Sequence, residues 1–338
     1  MKEYLIVSGR DIHLLYPHYK VWGFGIPLYL FIGGLAAGLL IFSTYFYLRG
    51  KTDKMRASVF VSSIVVPIII ILGLAFLILD LHHKPYFWQL LTHIRFQSPM
   101  SWGAWTLTIV TFLSILWPLT FIDEMIEYFR ERNRQKWLSV FQWIRDLLYE
   151  KAQWLGKIVD FFKKYRKPFA IITMAFSIVL GIYTGILLST MNARPLWNTP
   201  ILGLLFLTSG LSTAAALNMW ISDDHEEKHL FSKIDIYLVA IEMYLIFQMF
   251  FNMVQGPEIQ VRTAQLFFGG EFTAIFWVLF VGLGLVLPWL LEILDMMKFK
   301  VPYAVPAFLI LYGGLVFRVI MVIAGEVSAF LPVPTILH

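Results

Sequence analysis

Two sets of residues in this 338-residue chain have the chemistry to move protons or hold a polar group. The first is the stretch Asp80 to Trp105, DLHHKPYFWQLLTHIRFQSPMSWGAW, where an acid, three histidines (His82, His83, His93), two prolines and a dense run of aromatics stand between two very apolar segments. A bare connection between membrane spans needs far less. Acids, hydroxyls and imidazoles at an aqueous rim are the groups that donate, accept and relay protons, so the stretch reads as the wet edge of a redox site. Pro99 restricts Ser98 to extended geometry, and Ser101 is placed to cap the helix that follows. The second set lies within apolar segments: Glu242 and Arg318 are ionisable residues at membrane depth, each costing about 3 kcal/mol or more unless paired or hydrated. Gln248, Asn252 and Gln255 continue a polar line outward from Glu242. A proton path and a buried structural pairing both keep such residues facing a helix bundle's interior.

The elements that position these residues follow from hydropathy. With 59% hydrophobic and only 14% charged residues, the chain is an integral membrane protein. Crossing a hydrocarbon core takes about 20 apolar residues. Such runs lie near 22–48, 57–79, 103–122, 169–190, 199–221, 234–254, 272–291 and 303–325, which predicts an all-α polytopic fold with eight transmembrane helices. The odd-numbered connections hold 19 Lys and Arg, against 7 in the N-terminal tail and even-numbered connections. Positive charges concentrate on the cytoplasmic side, so both termini and the Asp80–Trp105 stretch are expected outside. Leu30-Phe31-Ile32-Gly33-Gly34-Leu35 in the first span is echoed, with one residue inserted, by Leu205-Phe206-Leu207-Thr208-Ser209-Gly210-Leu211 in the fifth. The repeat suggests two four-helix bundles: 22–190, then 191–325, with outer tails at 1–21 and 326–338. Small residues in both repeats let helices approach closely, or leave room for a flat ligand.

Other chemistries are set aside. The absence of cysteine excludes an iron–sulfur cluster in this chain, a c-type haem and disulfides, so redox chemistry needs borrowed centres or a diffusible carrier. All eight histidines, including His13, His18 and His338, fall outside the predicted spans, so no haem held within the bilayer is expected. His225-Glu226-Glu227-Lys228-His229 fits the zinc-protease pattern H-E-x-x-H, but in a connection too short to build a cleft and a third ligand, so it reads as a solvated charged loop and no metal is expected. The net charge of +5 sits beside membrane spans and carries no argument for nucleic acid. In the connection 130–168, Trp137, Phe141, Ile144, Leu148, Leu155, Ile158 and Phe162 recur at helical spacing among basic residues, which predicts an amphipathic helix lying on the cytoplasmic leaflet. The other acids at inner span ends, Asp123, Glu124, Glu292 and Asp295, read as interfacial.

On the outer side, Asp80, Ser98, Ser101, Tyr183, Asn192 and Arg194 should converge at one depth. At these residues the chain resembles a known family. Asp80-Leu81, Ser98-Pro99-Met100-Ser101-Trp102-Gly103-Ala104-Trp105, Gly33-Gly34-Leu35-Ala36-Ala37-Gly38, and Tyr183-Thr184-Gly185-Ile186-Leu187-Leu188 leading to Pro195-Leu196-Trp197-Asn198 and Ser209-Gly210-Leu211 are similar to the NrfD-type family, the membrane subunit of polysulfide reductase and its relatives. The resemblance implies a site for a quinone, menaquinone or ubiquinone, near the outer face of the first bundle. It also implies an outer iron–sulfur subunit with four clusters, and beyond it a molybdopterin catalytic subunit. Tyr183, in the matching Y-T-G motif, carries over with most weight. The sequence departs from the polysulfide reductase member at the start of the first helix, where Gly25 and Tyr29 stand in place of an Asn and a His.

The expected protein is therefore a quinone-reactive subunit of a respiratory oxidoreductase in a bacterial or archaeal cytoplasmic membrane. Asp80 and Tyr183 are its catalytic candidates, Tyr29, Ser98, Ser101, Asn192 and Arg194 further quinone contacts, and Glu242 and Arg318 its proton path. The rival reading is a secondary transporter that uses Glu242 and Arg318 as coupling charges. Against it, the polar groups concentrate at the outer rim rather than the midplane.

Overall fold

The computed structural model describes residues 22–80, 84–92 and 95–328; the two tails up to 21 and beyond 328, and His13, His18, His82, His83, His93 and His338, lie outside the described residues. Lipid offers no partner for backbone N–H and C=O groups, so each apolar run must satisfy its own by becoming a helix. Eight helices are long and apolar enough to cross a membrane: Gly25–Leu48, Ala57–Asp80, Pro99–Leu119, Arg166–Ser189, Ile201–Ile221, His225–Val254, Ile275–Met296 and Ala304–Ser328. They match the eight expected runs. The sixth begins nine residues earlier than hydropathy suggests, because Asp224 caps it by accepting from the Glu226 N–H at 3.2 Å. The eighth runs on to Ser328, three residues into the expected C-terminal tail.

The first and fifth spans form the middle of the molecule, with 67% and 72% of their apolar windows buried against 28% for the second and seventh. The first packs on the second, fourth, fifth and eighth, and the fifth packs on the fourth, sixth and eighth as well. The two repeat segments meet each other. A Cβ on Gly210 would stand 2.7 Å from the Gly34 carbonyl oxygen, and one on Gly34 would stand 3.6 Å from the Gly210 Cα. The glycines therefore serve close backbone approach rather than room for a ligand, and only residues without a side chain allow it. A second crossing of this kind joins Gly284 of the seventh span to Gly313 of the eighth.

The third connection departs from the single amphipathic helix expected over 130–168. It folds as Ile122–Glu131, Gln135–Asp146 and Gln153–Lys164. Asn133 takes a left-handed φ of 52°, which ends the first helix, and a π-helical turn at Leu147–Lys151 followed by Ala152 separates the other two. Phe141, Leu148 and Val159 are buried, while Trp137, Trp143 and Trp154 are exposed. Tyr149 donates to Asp160 at 2.8 Å, and burial with that carboxylate pushes its phenol up to about 12. Lys163 to Asp123 and Arg166 to Glu124 pin the hairpin to the bundle.

The H-E-x-x-H segment is the first turn of the sixth span. Its central Glu227 is buried and accepts from the backbone N–H groups of Ala57 and Ser58, at 3.3 and 2.8 Å, and from the Ser222 hydroxyl at 2.8 Å. A carboxylate at the N-terminus of the second span complements that helix's dipole and its orphan donors. The motif's chemistry here is helix capping between spans.

Candidate functional site

At the end of the bundle away from the lysine- and arginine-rich connections, the first four spans bring several predicted residues together. The second span closes on Asp80, whose Oδ1 accepts from the Gly23 N–H at 3.2 Å. Gly25 lets the first span approach there: a Cβ on it would stand 3.2 Å from the Phe76 carbonyl oxygen and 3.9 Å from the Asp80 Cβ. Tyr29 lies one helical turn deeper on the same face of the first span, buried beside Gly73 of the second. Tyr183, from the fourth span, lies beside Tyr29 and turns its hydroxyl to the backbone of Gly103 in the third. A Cβ on Gly103 would overlap the Tyr183 ring and hydroxyl, so this glycine is the seat of the phenol. Asp80, Tyr29 and Tyr183 thus descend from the aqueous end into the packed interior.

Pro99 does hold Ser98 extended, at φ −102° and ψ 116°. Ser101 is not the cap, however. The third span starts at Pro99, with Ser98 at the cap position and no side-chain bond there, and the Ser101 hydroxyl lies inside the first turn, accepting from the Arg95 N–H at 3.1 Å. This bond folds residues 95–98 back over the helix start, and two open clefts result. Arg95, Phe96, Gln97 and Ser98 line one; Arg95, Phe96, Ser101, Trp102 and Trp105 line the other, which is largely apolar. Trp102 donates to the Phe96 carbonyl at 2.8 Å, and both rings are exposed.

Arg194 and Asn192 are placed differently. Arg194 donates to the Glu326 carbonyl and lies 5.8 Å over the Trp197 ring. Trp197 in turn donates to the Met321 carbonyl at 2.7 Å and stacks on Trp22 at 5.1 Å, while the Trp22 N–H donates to Glu326 at 2.8 Å. Arg194 therefore belongs to a clasp between the fourth connection, the last span and the start of the first. Asn192 is exposed in that connection.

In the other half of the molecule, Glu242 and Arg318 are both buried, at 1% and 2% exposure. Arg318 lies 4.1 Å over the Phe206 ring and donates through Nη2 to the Phe206 carbonyl at 3.0 Å. It also reaches the first span, since a Cβ on Gly34 would stand 3.3 Å from Nη2. Glu242 neighbours Ser209 and Arg318, yet no ion pair within 4.0 Å joins it to the arginine among the described residues. Its Oε1, with Nε and Nη1 of Arg318, is buried without a partner among the described residues. Buried polar atoms left this way are normally satisfied by water, and a hydrated carboxyl group can pass protons. Gln248 and Asn252 do not extend this line: they bond to each other at 3.3 Å, with Asn252 exposed.

Two acids escape the sequence reading. Asp235 is fully buried on the sixth span, and Glu292, expected at the interface, is buried on the seventh. The spacing of Glu227, Asp235 and Glu242, eight and then seven residues apart, places all three on one helical face. That periodicity is legible only once the helix is known to begin at His225.

The family described as "Polysulphide reductase, NrfD" matches residues 16–329 of this protein. "Protein NrfD" of Escherichia coli is 29% identical over 286 residues, covering 80% of this sequence and 84% of that protein. A polysulfide reductase chain of Wolinella succinogenes is 30% identical over 284 residues, 81% of this sequence and 83% of its own length. A selenate reductase subunit of Mesobacillus selenatarsenatis is 25% identical over 289 residues, 81% of this sequence and 66% of its own.

Proposed function

Because this chain belongs to the NrfD family, whose match runs through all eight spans, we propose that it exchanges electrons between the membrane quinone pool and an iron–sulfur subunit docked on the outer face. It is a multi-pass membrane subunit of an oxidoreductase complex. The complex resides in the cytoplasmic membrane of a bacterium or archaeon, and a molybdopterin catalytic subunit lies beyond the iron–sulfur protein. The 19-to-7 split of Lys and Arg supports this orientation, with the Asp80 end outside. The observation that carries the quinone reading is the convergence of Asp80, Tyr29 and Tyr183 from three spans at the rim, with the Tyr183 hydroxyl seated on Gly103.

These residues suit a quinone headgroup, menaquinone or ubiquinone. When bound, the quinone supplies a carrier that takes up or releases two electrons together with two protons. The two phenols hold and orient its oxygens by hydrogen bonds, in a buried setting where such bonds are strong. Asp80, at the half-buried end of the second span, exchanges protons with outer water. The apolar cleft at Ser101, Trp102 and Trp105 gives the ring a route from lipid, with Ser98 and Ser101 at its polar edge. Glu242 and Arg318 form a proton path from the cytoplasmic side, which makes the redox step charge-separating. The first four spans then form the quinone unit and the last four the proton unit.

Quinol-driven reduction of the purified complex tests the first part, with Asp80→Asn and Tyr183→Phe expected to slow it while assembly is unchanged. In reconstituted vesicles, Glu242→Gln should retain electron transfer to an artificial acceptor and lose the membrane potential. A wild type that does not react with quinol overturns the reading.

A further inference from the structure

Asp235 and Glu292 are the most deeply buried acids without an assigned role, at 0% and 1% exposure. Their carboxyl groups neighbour each other within hydrogen-bonding reach, Asp235 on the sixth span and Glu292 on the seventh. Among the described residues neither carboxyl receives a bond from an N–H or from a Lys or Arg, and all four oxygens are buried without a donor. Glu227, on the same face of the sixth span, is the contrast: it accepts from two backbone N–H groups and a hydroxyl. Two adjacent carboxyl groups without a cation or an N–H donor in a protein interior repel each other where neither is solvated, and one proton shared between them relieves both costs. A proton held between them supplies the donor that both lack.

The surroundings give this proton a way in and a way out. Toward the lysine- and arginine-rich end, Asp295 lies next to Glu292, and the Tyr303 hydroxyl lies beside Asp295, with its ring against His225. Burial and the Asp295 carboxylate push the Tyr303 phenol up to about 12, so it remains a proton donor at neutral pH. Toward the middle, the buried hydroxyl of Ser212 lies beside Asp235 and has no bonded partner among the described residues, and Glu242 follows two helical turns on, about 10 Å away along the axis. Ser209 sits beside Glu242, one turn of the fifth span from Ser212.

We infer that Asp235 and Glu292 share one exchangeable proton and form the loading point, on the cytoplasmic side, from which Glu242 is supplied. At rest the pair carries one proton and one negative charge. Loading adds a second proton from water at Asp295 and Tyr303, which makes the pair neutral. Transfer of one proton to the Glu242 carboxylate, over the Ser212 and Ser209 hydroxyls and intervening water, returns the pair to its resting state. No electron moves in this step. The supply of Glu242 rests on the proton-path reading above; the sharing of a proton does not.

The test uses the intact complex in lipid nanodiscs and in vesicles, with Asp235→Asn, Glu292→Gln and their combination, which preserve volume. Infrared spectra recorded in H2O and D2O should show a protonated-carboxyl band in the wild type. That band should shift in each single variant, vanish in the double variant and persist in Glu242→Gln. A spectrum unchanged in the double variant overturns the shared proton. In vesicles, each single variant should build potential at least tenfold more slowly than wild type at equal electron transfer to an artificial acceptor. Wild-type potential in both single variants, with loss in Glu242→Gln, overturns the loading role and leaves the path intact. If the wild type builds no potential, the path reading falls, and the band alone decides the pair.

Discussion

Gly103→Ala should disable the proposed rim site without replacing any residue that binds or reacts. The new Cβ falls on the Tyr183 ring and hydroxyl, so the phenol must swing away from its seat. Overpacking of this kind costs about 1–3 kcal/mol of stability. The displaced hydroxyl also forfeits the proposed hydrogen bond to a quinone oxygen; to a partner that carries charge as the headgroup changes redox state, such a bond is worth about 1.5–3 kcal/mol. At 1.36 kcal/mol per decade, kcat/KM for quinol falls about 10- to 150-fold. Tyr183→Phe removes the same hydroxyl while keeping the ring, and should lose activity in the same range at little cost in stability. Both changes act through one atom, so Gly103→Ala/Tyr183→Phe should be no slower than the slower single variant. The assay is steady-state quinol oxidation or reduction by the complex, beside its thermal-inactivation midpoint and electron transfer to an artificial acceptor. Quinol kinetics of Tyr183→Phe within about threefold of wild type, or losses that multiply in the double variant, would refute the seat as part of the site.

Glu227→Ala leaves the Ala57 and Ser58 N–H groups and the Ser222 hydroxyl without their acceptor. It should destabilise the protein by about 3 kcal/mol, read as a thermal-inactivation midpoint several degrees lower. Gly210→Val should abolish folded protein in the membrane, because its side chain meets the Gly34 backbone, whereas Gly33→Ala, with nothing within 4 Å, should accumulate normally; equal yields of the two would remove the case for the crossing. A His338→Cys variant should react with an impermeant maleimide in intact cells, and labelling only after lysis would reverse the orientation.

Much of this protein is readable along the chain because the membrane makes the dominant costs local. An apolar run of about 20 residues must satisfy its backbone within itself, so the spans at 57–79 and 199–221 return almost unchanged as Ala57–Asp80 and Ile201–Ile221. The family, too, is legible, since its motifs are short runs in a fixed order. Asp80, Tyr29 and Tyr183 can be named from the sequence, but their descent into one site depends on Gly25, Gly73 and Gly103, whose meaning lies in what a Cβ would strike. The direction of a side chain around a helix axis is a matter of packing. Hydropathy makes Glu292 and Asp295 look alike at the end of a span, and only the neighbouring sixth span buries Glu292 against Asp235. The H-E-x-x-H run reads as a solvated loop until Glu227 meets the amides of a helix 170 residues away. Length and composition determine which segments enter the membrane; contacts between spans distant in sequence determine which polar residues face one another once there.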